Sequence, residues 1–512
     1  MTSFCANPPA DEGIAPSRKV VTDEQRETAE NLKNEANGYF KNAKYEDAIR
    51  LYTEAIEMNP FVPAYYCNRA IAYIRTEAHG YALMDADKAL ELDPNFAKAY
   101  YRRATANMAM LRFKDSFKDF RTVVKRVPKD AEARRKLAEC EKIVRRMEFE
   151  KAIEFDEAGR SVVDQIDLTS MKVEDDYDGA RLPTRSVTHD DGSTETVEYM
   201  DKSFLRDMIQ RFKDQKMIHK RFAYQIILEA KRIFTECPSL VDVRIPQDAT
   251  MTVCGDVHGQ FYDFIHIFEL NGYPTADHWY LFNGDFVDRG SFSLEIILTL
   301  FAYKWLNPTT IYLARGNHET NNMNKVYGFE GEVKAKFSNL MFKLFAETFN
   351  ALPLAHVIQD KIFVVHGGLF SQDQVTLDDI RKINRFSQPP SEGLMCELLW
   401  SDPRPQPGRG PNKRGVGIEF GPDITEAFLK HNNLDVLVRS HEVKDEGYAV
   451  EHNGKCLTVF SAPNYCDRMD NKGAFLNVTP DAKYEWQQFS AVPHPTNVKA
   501  MQYASQFNSF GF

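Results

Sequence analysis

A period of 34 residues recurs near the start of this chain. Pro60, Pro94 and Pro128 keep that spacing. The same spacing separates three alanines, Ala36, Ala70 and Ala104. Small residues suit places where two packed helices approach closely, and a proline ends a repeat because it cannot continue a helix. The period therefore predicts a stack of three helix pairs.

The repeats occupy residues 29–62, 63–96 and 97–130 and resemble tetratricopeptide repeats. We expect a capping helix from about residue 131 to 149, because the last repeat of a stack needs a polar outer face. The alternative is an ordinary helical bundle, which would not require a fixed period. The pattern predicts an all-α tetratricopeptide solenoid over residues 22–148.

Five polar side chains at matching repeat positions predict a peptide-binding groove. Two are amides and three are cations: Lys33, Asn37, Asn68, Lys98 and Arg102. This set resembles the two-carboxylate clamp of chaperone-binding tetratricopeptide domains. The resemblance implies a heat-shock chaperone of the 90-kDa class as partner, held by the acidic peptide at its C-terminus. Several convergent donors suit a terminal carboxylate beside a side-chain carboxylate. The alternative is a solvated charged face.

Composition limits the remaining choices. A chain of 512 residues is too long for one compact core. The net charge of −10 argues against nucleic acid as the main partner. Eight scattered cysteines suit reduced thiols inside a cell. We find neither a signal peptide nor an apolar run approaching 18 residues, so we expect no membrane span and a cytoplasmic protein that can also be nuclear.

The second half of the chain repeats a different arrangement, in which an apolar β-type run ends in a short polar motif. The runs start at residues 250, 279, 311, 362, 434 and 456, and the motifs after them are GDVHG, GDFVDRG, GNHE, HGGL, RSH and SAPNYC. Ligand sites of α/β sheets lie at the carboxyl ends of strands. The motifs are therefore expected to meet at one rim of a sheet.

The side chains in these motifs predict a metal site. The candidate ligands are oxygen and imidazole donors without thiolate: Asp256, His258, Asp285, Asn317, His366 and His441. Such ligands suit manganese, magnesium, iron or zinc. Six protein ligands with one bridging carboxylate fit two divalent ions about 3.5–4 Å apart.

Together, the motifs resemble the complete signature of the metal-dependent phosphoprotein phosphatase family, over roughly residues 195–490. The resemblance implies an α/β metallophosphoesterase fold, a central β-sandwich flanked by helices. It also implies hydrolysis of phosphoserine and phosphothreonine in phosphorylated proteins by a hydroxide that two metals activate. One metal would take Asp256, His258 and Asp285. The other metal would share Asp285 and add three ligands, Asn317, His366 and His441.

The same resemblance assigns roles to the remaining motif residues. His318 would protonate the leaving oxygen, and Asp288 would orient His318 and support its charged form. Arg289 and Arg414 would bind phosphoryl oxygens, since guanidinium geometry matches phosphate. Asn317 and Tyr465 would be further substrate contacts, although simple packing also explains Tyr465.

Two segments complete the expected organisation. Residues 149–194 are acidic and irregular and read as a linker. The family resemblance suggests that the repeat domain and the C-terminal segment 491–512 together cover the active site and inhibit it. Five apolar residues of this segment have no local cover: Met501, Tyr503, Phe507, Phe510 and Phe512.

Two other functions remain open on sequence grounds. The chain could be a metallophosphoesterase of diesters or nucleotides, although such substrates would not need the paired arginines. It could also be a co-chaperone or adaptor in which docking dominates and the phosphatase domain serves as a scaffold. Activity on a phosphopeptide, measured beside binding of a chaperone tail, separates these functions.

Overall fold

The computed structural model describes residues 21–156, 161–188, 191–495 and 498. The chain forms two compact units, Met1–Arg146 and Met147–Phe512. Of the segment 491–512, which the sequence assigns to inhibition, only residues 491–495 and 498 are described, and its five uncovered apolar residues lie outside the described residues.

The first unit is a stack of helix pairs, which confirms the solenoid predicted from the 34-residue period. Its helices are α1 Asp23–Lys41, α2 Tyr45–Met58, α3 Pro63–Arg75, α4 His79–Leu92, α5 Ala97–Ala109, α6 Phe113–Arg126 and α7 Ala131–Asp156. Helix α1 begins with a capping box between Thr22 and Gln25, so it starts ahead of the repeat register. Helix α7 is the expected capping helix and runs past residue 149.

The period has a direct packing cause. The alanines at positions 36, 70 and 104 are fully buried, so consecutive helices approach closely there. Arg69 pairs with Asp85 at 2.8 Å, and Arg103 pairs with Asp119 at 2.7 Å one repeat later. Both the apolar contacts and the ion pairs therefore repeat with the same register.

The segment predicted as a linker is shorter than expected, because residues 161–188 pack on the second unit. The segment contains two 3₁₀ turns, Val162–Gln165 and Leu168–Ser170, and strand β1, Thr184–Thr188, which pairs with β2, Thr194–Glu198. Val162 and Leu182 join the helical core of that unit. Its apolar residues follow no helix or strand period, so the sequence pattern gave no sign of this packing.

The second unit contains ten further α-helices among its described residues. They are α8 Lys202–Lys213, α9 Lys220–Glu236, α10 Phe261–Asn271, α11 Ser293–Leu306, α12 Asn321–Tyr327, α13 Phe329–Lys336, α14 Asn339–Ala351, α15 Leu377–Arg381, α16 Leu394–Trp400 and α17 Pro422–His431. None of the described helices is both long and apolar enough to cross a membrane.

Besides the β1-β2 pair, its described strands form two main sheets and a small three-stranded one. The strands are β3 Leu240–Val243, β4 Thr250–Cys254, β5 His278–Phe282, β6 Ile311–Leu313, β7 Ala355–Ile358, β8 Ile362–Val365, β9 Asp402–Pro403, β10 Arg409–Pro411, β11 Ile418–Phe420, β12 Val436–Arg439, β13 Tyr448–Glu451, β14 Cys456–Val459, β15 Gly473–Val478 and β16 Tyr484–Phe489. One main sheet has the order β13-β14-β12-β8-β7-β3, and the other has the order β16-β15-β4-β5-β6.

A shared core shows that the two main sheets pack face to face. Met251 and Leu281 of one sheet lie in the same buried cluster as Val438 and Leu457 of the other. Helix α11, buried along most of its length, belongs to the large helical core that also takes in β5 and β6. This arrangement confirms the predicted β-sandwich flanked by helices.

Parallel pairing aligns the ends of the strands that carry the motifs. Strands β4, β5 and β6 are parallel in one sheet, and β8, β12 and β14 are parallel in the other. A bridge between Asp256 and Phe460 then joins the chain just past β4 to the chain just past β14. The motifs of both sheets therefore meet at one edge of the sandwich.

Candidate metal and phosphoryl site

All six predicted metal ligands lie within a few residues of a strand end at this edge, and all six are buried. Asp256 and His258 follow β4, and Asp285 follows β5. Asn317 follows β6, while His366 and His441 follow β8 and β12. The structure thus brings together the whole ligand set that sequence analysis proposed.

Histidine and carboxylate donor atoms form two clusters that share Asp285, and Asp256 lies beside the first, with its Oδ2 3.6 Å from Nε2 of His258. One contains His258, Asp285 and His318, and the other contains Asp285, His366 and His441. Within each cluster the ligand atoms lie within 4.8 Å of one another. A shared carboxylate between two clusters is the geometry expected of a bridging ligand.

Hydrogen bonds fix the histidine rings with one nitrogen turned toward the clusters. His258 donates from Nδ1 to the carbonyl oxygen of Val287 at 3.0 Å. His366 donates from Nδ1 to the carbonyl oxygen of Asn283 at 2.8 Å. In the neutral rings this leaves the Nε2 lone pairs facing Asp285, at 3.4 Å from its Oδ2 in both cases.

The contacts around Asn317 fit a bound cation. Its Oδ1 lies 2.9 Å from Nε2 of His366, and both atoms can only accept a hydrogen bond there. Turning the amide would offer two hydrogens to acceptors on three residues, Asp285, His366 and His441. Lone pairs exceed protons in either orientation, and a divalent ion satisfies such a set.

The raised pKa values of the buried carboxylates also favour a bound cation. Burial, together with the charge of Asp285, raises the pKa of Asp256 to about 7. Burial raises the pKa of Asp285 to about 8, with Asp288 adding repulsion. Buried carboxylates this close together are costly unless a cation neutralises them.

The backbone is strained at the same place. The φ angles are 38° at His258, 53° at Asp285, 72° at Asp288, 70° at Arg289 and 73° at His441. Each left-handed, non-glycine residue costs on the order of 1–3 kcal/mol, and such residues cluster at functional sites. The sandwich that anchors the loops therefore maintains a geometry that the loops alone would not adopt.

His318 and Asp288 form a close pair beside the shared carboxylate. Nδ1 of His318 lies 2.7 Å from Oδ2 of Asp288, and the amide of Asn324 donates to the same oxygen at 3.1 Å. The ring centre of His318 lies 4.7 Å from that of His258. Because Nδ1 contacts Asp288, Nε2 of His318 remains available to donate a proton, as the role predicted for His318 requires. The clustering of His318 with His258 and Asp285 also makes a ligand role geometrically available.

Three of the four predicted substrate contacts, Arg289, Arg414 and Tyr465, lie near the clusters. The guanidinium carbon of Arg289 lies 4.0 Å from the ring centre of Tyr327. Arg414 donates to Oδ2 of Asp402 and to the carbonyl oxygen of His441, both at 2.8 Å. The ring of Tyr465 has its centre 5.3 Å from that of His258.

Burial lowers the pKa of His318, and Arg289 lowers it further.

Sequence analysis missed the residues that hold this site in place. The carboxylate of Glu319 accepts hydrogen bonds from the backbone amides of Asp285 and Gly316 at 2.8 Å and of Phe286 at 2.9 Å. The carboxylate of Asp402 binds Arg414 and the fully buried Arg439, each at 2.8 Å. Their position inside or beside the motifs was the only available signal, because these contacts join distant segments.

The predicted peptide clamp lies on the first helices of the three repeats, α1, α3 and α5. Oδ1 of Asn37 accepts from the hydroxyl of Tyr52 at 2.6 Å and from the amide of Asn68 at 3.2 Å. This fixes the NH₂ group of Asn37 as a donor. Lys33 is paired with Glu30 of its own helix.

The remaining two residues of the predicted clamp are cations of α5. Lys98 and Arg102 lie one turn apart on that helix, so they share a face. Nε of Arg102 is buried and has no hydrogen-bond partner among the described residues. A buried guanidinium nitrogen without an acceptor suits an anionic ligand.

The fold and the site define a metallophosphoesterase joined to a tetratricopeptide repeat domain. Residues 249–445 match the family model described as calcineurin-like phosphoesterase. Residues 33–97 match a tetratricopeptide repeat model, and residues 137–242 match the one described as the PPP5 TPR repeat region.

Individual relatives define the family more closely. Human serine/threonine-protein phosphatase 5 is 53% identical over 508 residues, covering 99% of this chain and 98% of the human protein. The protein of the same name from Arabidopsis thaliana is 52% identical, covering 94% and 97%. A solved Saccharomyces cerevisiae serine/threonine phosphatase, with similarity to human phosphatase PP5, is 44% identical with a TM-score of 0.57, covering 58% of this chain and 98% of its own. The chain belongs to the serine/threonine-protein phosphatase 5 family.

Proposed function

We propose that this chain removes phosphate from phosphoserine and phosphothreonine in proteins. The observation that carries the proposal is the His318–Asp288 pair at 2.7 Å, set beside two clusters of potential metal ligands. The charges of Arg289 and Arg414 lower the pKa of His318 and also that of Asp285, so both arginines lie close to the site. A dianionic phosphate monoester bound there would therefore lie near two cations.

The donor set fits two divalent ions, and manganese, magnesium, iron or zinc are all compatible with it. Asp256, His258 and Asp285 would hold one ion, while Asp285, Asn317, His366 and His441 would hold the other. When bound, such a pair supplies an acidified water and neutralises charge on phosphorus oxygens. His318 keeps Nδ1 on Asp288 and presents Nε2, from which it gives a proton to the departing serine or threonine oxygen.

A substrate panel distinguishes this function from a general phosphoesterase. The intact chain, supplied with Mn²⁺, should hydrolyse a phosphoserine peptide in preference to a phosphodiester or a nucleotide, because two arginines match a monoester dianion. A preference for the diester would overturn the proposal.

The metal assignment has its own test. Asp285→Asn should lose most of its metal, measured by elemental analysis, because both clusters depend on that carboxylate. Asp288→Asn is the matched control, since Asp288 is not one of the six proposed ligands and contacts His318 instead. Equal metal content in the two variants would show that Asp285 is not the shared ligand.

A second function, docking, is favoured by the clamp. The proposed ligand is the acidic C-terminal peptide of a 90-kDa heat-shock chaperone, and the support is the fixed donor of Asn37 with the buried nitrogen of Arg102. Arg102→Ala should lose at least about tenfold in affinity by calorimetry, since a charge-assisted hydrogen bond contributes ~1.5–3 kcal/mol. Equal affinity for the same peptide with an amidated C-terminus would contradict a carboxylate clamp. Strong docking without phosphopeptide hydrolysis would favour the adaptor.

Autoinhibition by the repeat domain and the C-terminal segment is also proposed, in a cytoplasmic protein that can enter the nucleus. It is supported by the apolar residues of that segment and by the presence of two units in one chain. Deletion of residues 1–150, or separately of 498–512, should raise basal phosphatase activity. Unchanged rates in both truncations would mean that the units work independently. Imaging of a tagged chain tests the location.

A further inference from the structure

The second helix of the third repeat carries an exposed row of four cations. The row consists of Lys114, Lys118, Arg121 and Lys125, spaced four, three and four residues apart on α6. This spacing places all four on one helical face. We propose that this row, called here the α6 basic face, binds an acidic segment of a partner protein. The α6 basic face is separate from the peptide clamp, whose residues all lie on first helices.

The repeat architecture supplies an internal comparison. At the equivalent positions α2 carries Glu46, Arg50, Thr53 and Glu57, and α4 carries Gly80, Met84, Asp87 and Glu91. Both helices pack in the same stack as α6 without a row of cations. Packing of the solenoid therefore does not require the α6 basic face.

In the first two repeats, the residue equivalent to position 121 accepts a hydrogen bond from an arginine of the following repeat. Thr53 accepts a hydrogen bond from Arg69 of the next repeat at 2.9 Å, and Asp87 accepts one from Arg103 at 2.8 Å. The residue 34 positions after Arg103 is Leu137, so no equivalent arginine is available to donate a hydrogen bond to position 121. The end of the array permits a cation at Arg121, yet a neutral residue would serve the fold equally well.

The cations also work against the stability of α6. Like charges four residues apart, as in Lys114 with Lys118 and Arg121 with Lys125, destabilise a helix by about 0.2–0.5 kcal/mol per pair. Lys114 lies in the first turn, where the helix dipole disfavours a cation. Part of this cost is offset, for example by the pair of Asp115 with Lys118 at 2.9 Å. Arg121 and Lys125 make no ion pair within the described parts of the chain.

The shape of the row favours an acidic polypeptide over other polyanions. Eleven residue steps at about 1.5 Å each give a row of about 16 Å, which a strand-like segment of five or six residues spans. A long nucleic acid on this side of the stack would also meet carboxylates at positions 46, 57 and 91. No large hydrophobic side chain of α6 is exposed to enter a lipid surface.

The test uses the intact chain and an acetylated, amidated peptide of alternating glutamate and serine. The amide removes the terminal carboxylate that the clamp requires. The variant combines three substitutions, Lys114→Glu, Arg121→Thr and Lys125→Glu. Each one introduces the residue that α2 carries at the equivalent position. Fluorescence anisotropy should show a loss of affinity of about tenfold or more and a weaker dependence on salt, because several exposed charge contacts are removed.

Two controls make the result specific. Arg102→Ala should leave binding of the amidated peptide unchanged. A second triple variant, Lys202→Glu, Arg206→Thr and Lys382→Glu, makes the same charge change on exposed residues of the other unit and should also leave it unchanged.

The outcomes are decisive in either direction. Phosphopeptide hydrolysis should be equal in both triple variants, because none of the six residues lies at the metal clusters. The proposal is overturned if the α6 variant binds the acidic peptide like the intact chain. It is also overturned if the α6 variant loses affinity for duplex DNA or anionic vesicles while its affinity for the peptide is unchanged.

Discussion

At the scale of single residues, a buried histidine away from the metal clusters is expected to make the stability of the second unit depend on pH. His356 lies in β7, is 1% exposed, and its Nδ1 has no hydrogen-bond partner among the described residues. Burial, helped by the charge of Lys304, lowers the pKa of His356 to about 3. In the unfolded chain an imidazole titrates near 6.5. Between these values the unfolded state therefore binds one more proton than the folded state.

Replacement of this histidine should make the second unit more tolerant of acid. As pH falls below 6.5, wild type loses up to about 1.4 kcal/mol of stability per pH unit through His356, because the unfolded state takes up the proton. His356→Phe keeps an aromatic ring beside Tyr312 but has no group that can take up a proton. Urea unfolding at pH 7.5 and 5.0, in the presence of a chelator, should show a smaller loss for the variant.

The protein offers a clean probe for this measurement. All four tryptophans, Trp279, Trp305, Trp400 and Trp486, belong to the second unit, so their fluorescence reports its unfolding alone. Parallel pH profiles for wild type and His356→Phe would show that His356 does not titrate as described.

At the scale of elements, the strand ends were easy to predict and the packing of irregular segments was not. The expected strands at residues 250–254, 311–313 and 362–365 coincide with β4, β6 and β8. A short apolar run followed within a few residues by a glycine-containing polar motif is a local signal. Strands β3, β13 and β16 had no motif after them and were not predicted, because their pairing depends on distant partners.

The segment 161–182 shows the same limit and leads to a prediction. Tyr177 packs its ring 6.0 Å from that of Phe222, and the carboxylate of Glu347 accepts from the backbone amide of Val162 at 2.6 Å. A chain starting at residue 195, the boundary expected from the sequence, should melt several degrees lower than one starting at 161. Removing Val162, Tyr177 and Leu182 gives up on the order of several kcal/mol of apolar burial.

Thermal melts followed by tryptophan fluorescence compare the two truncated chains directly. Leu182→Ala in the intact chain is the matched point variant, since it removes one buried side chain without shortening the protein. Its cost should be about 2–5 kcal/mol. Equal melting temperatures for the chains starting at 161 and 195 would mean that the segment only rests on the surface.

At the scale of the whole molecule, the sequence identified both units by different kinds of signal. The 34-residue period located the solenoid, and the ordered motifs located the candidate metal ligands, because both signals are local in the chain. Glu319, Asp402 and Arg439 were not found, since their importance depends on contacts that only the closed sandwich makes. The clustering of the candidate ligands was predictable, whereas the residues that hold them in place were not.

We propose that His318 donates a proton to the leaving oxygen beside two metal ions, and this step decides how the enzyme works. The most direct measurement compares His318→Asn with wild type on two substrates, a phosphoserine peptide and p-nitrophenyl phosphate, at equal metal content. Serine is a poor leaving group and needs the proton, whereas nitrophenolate does not. The variant should lose ~10² or more in turnover on the peptide but far less on the nitrophenyl ester. An equal loss on both substrates, or no loss on the peptide, would contradict the account.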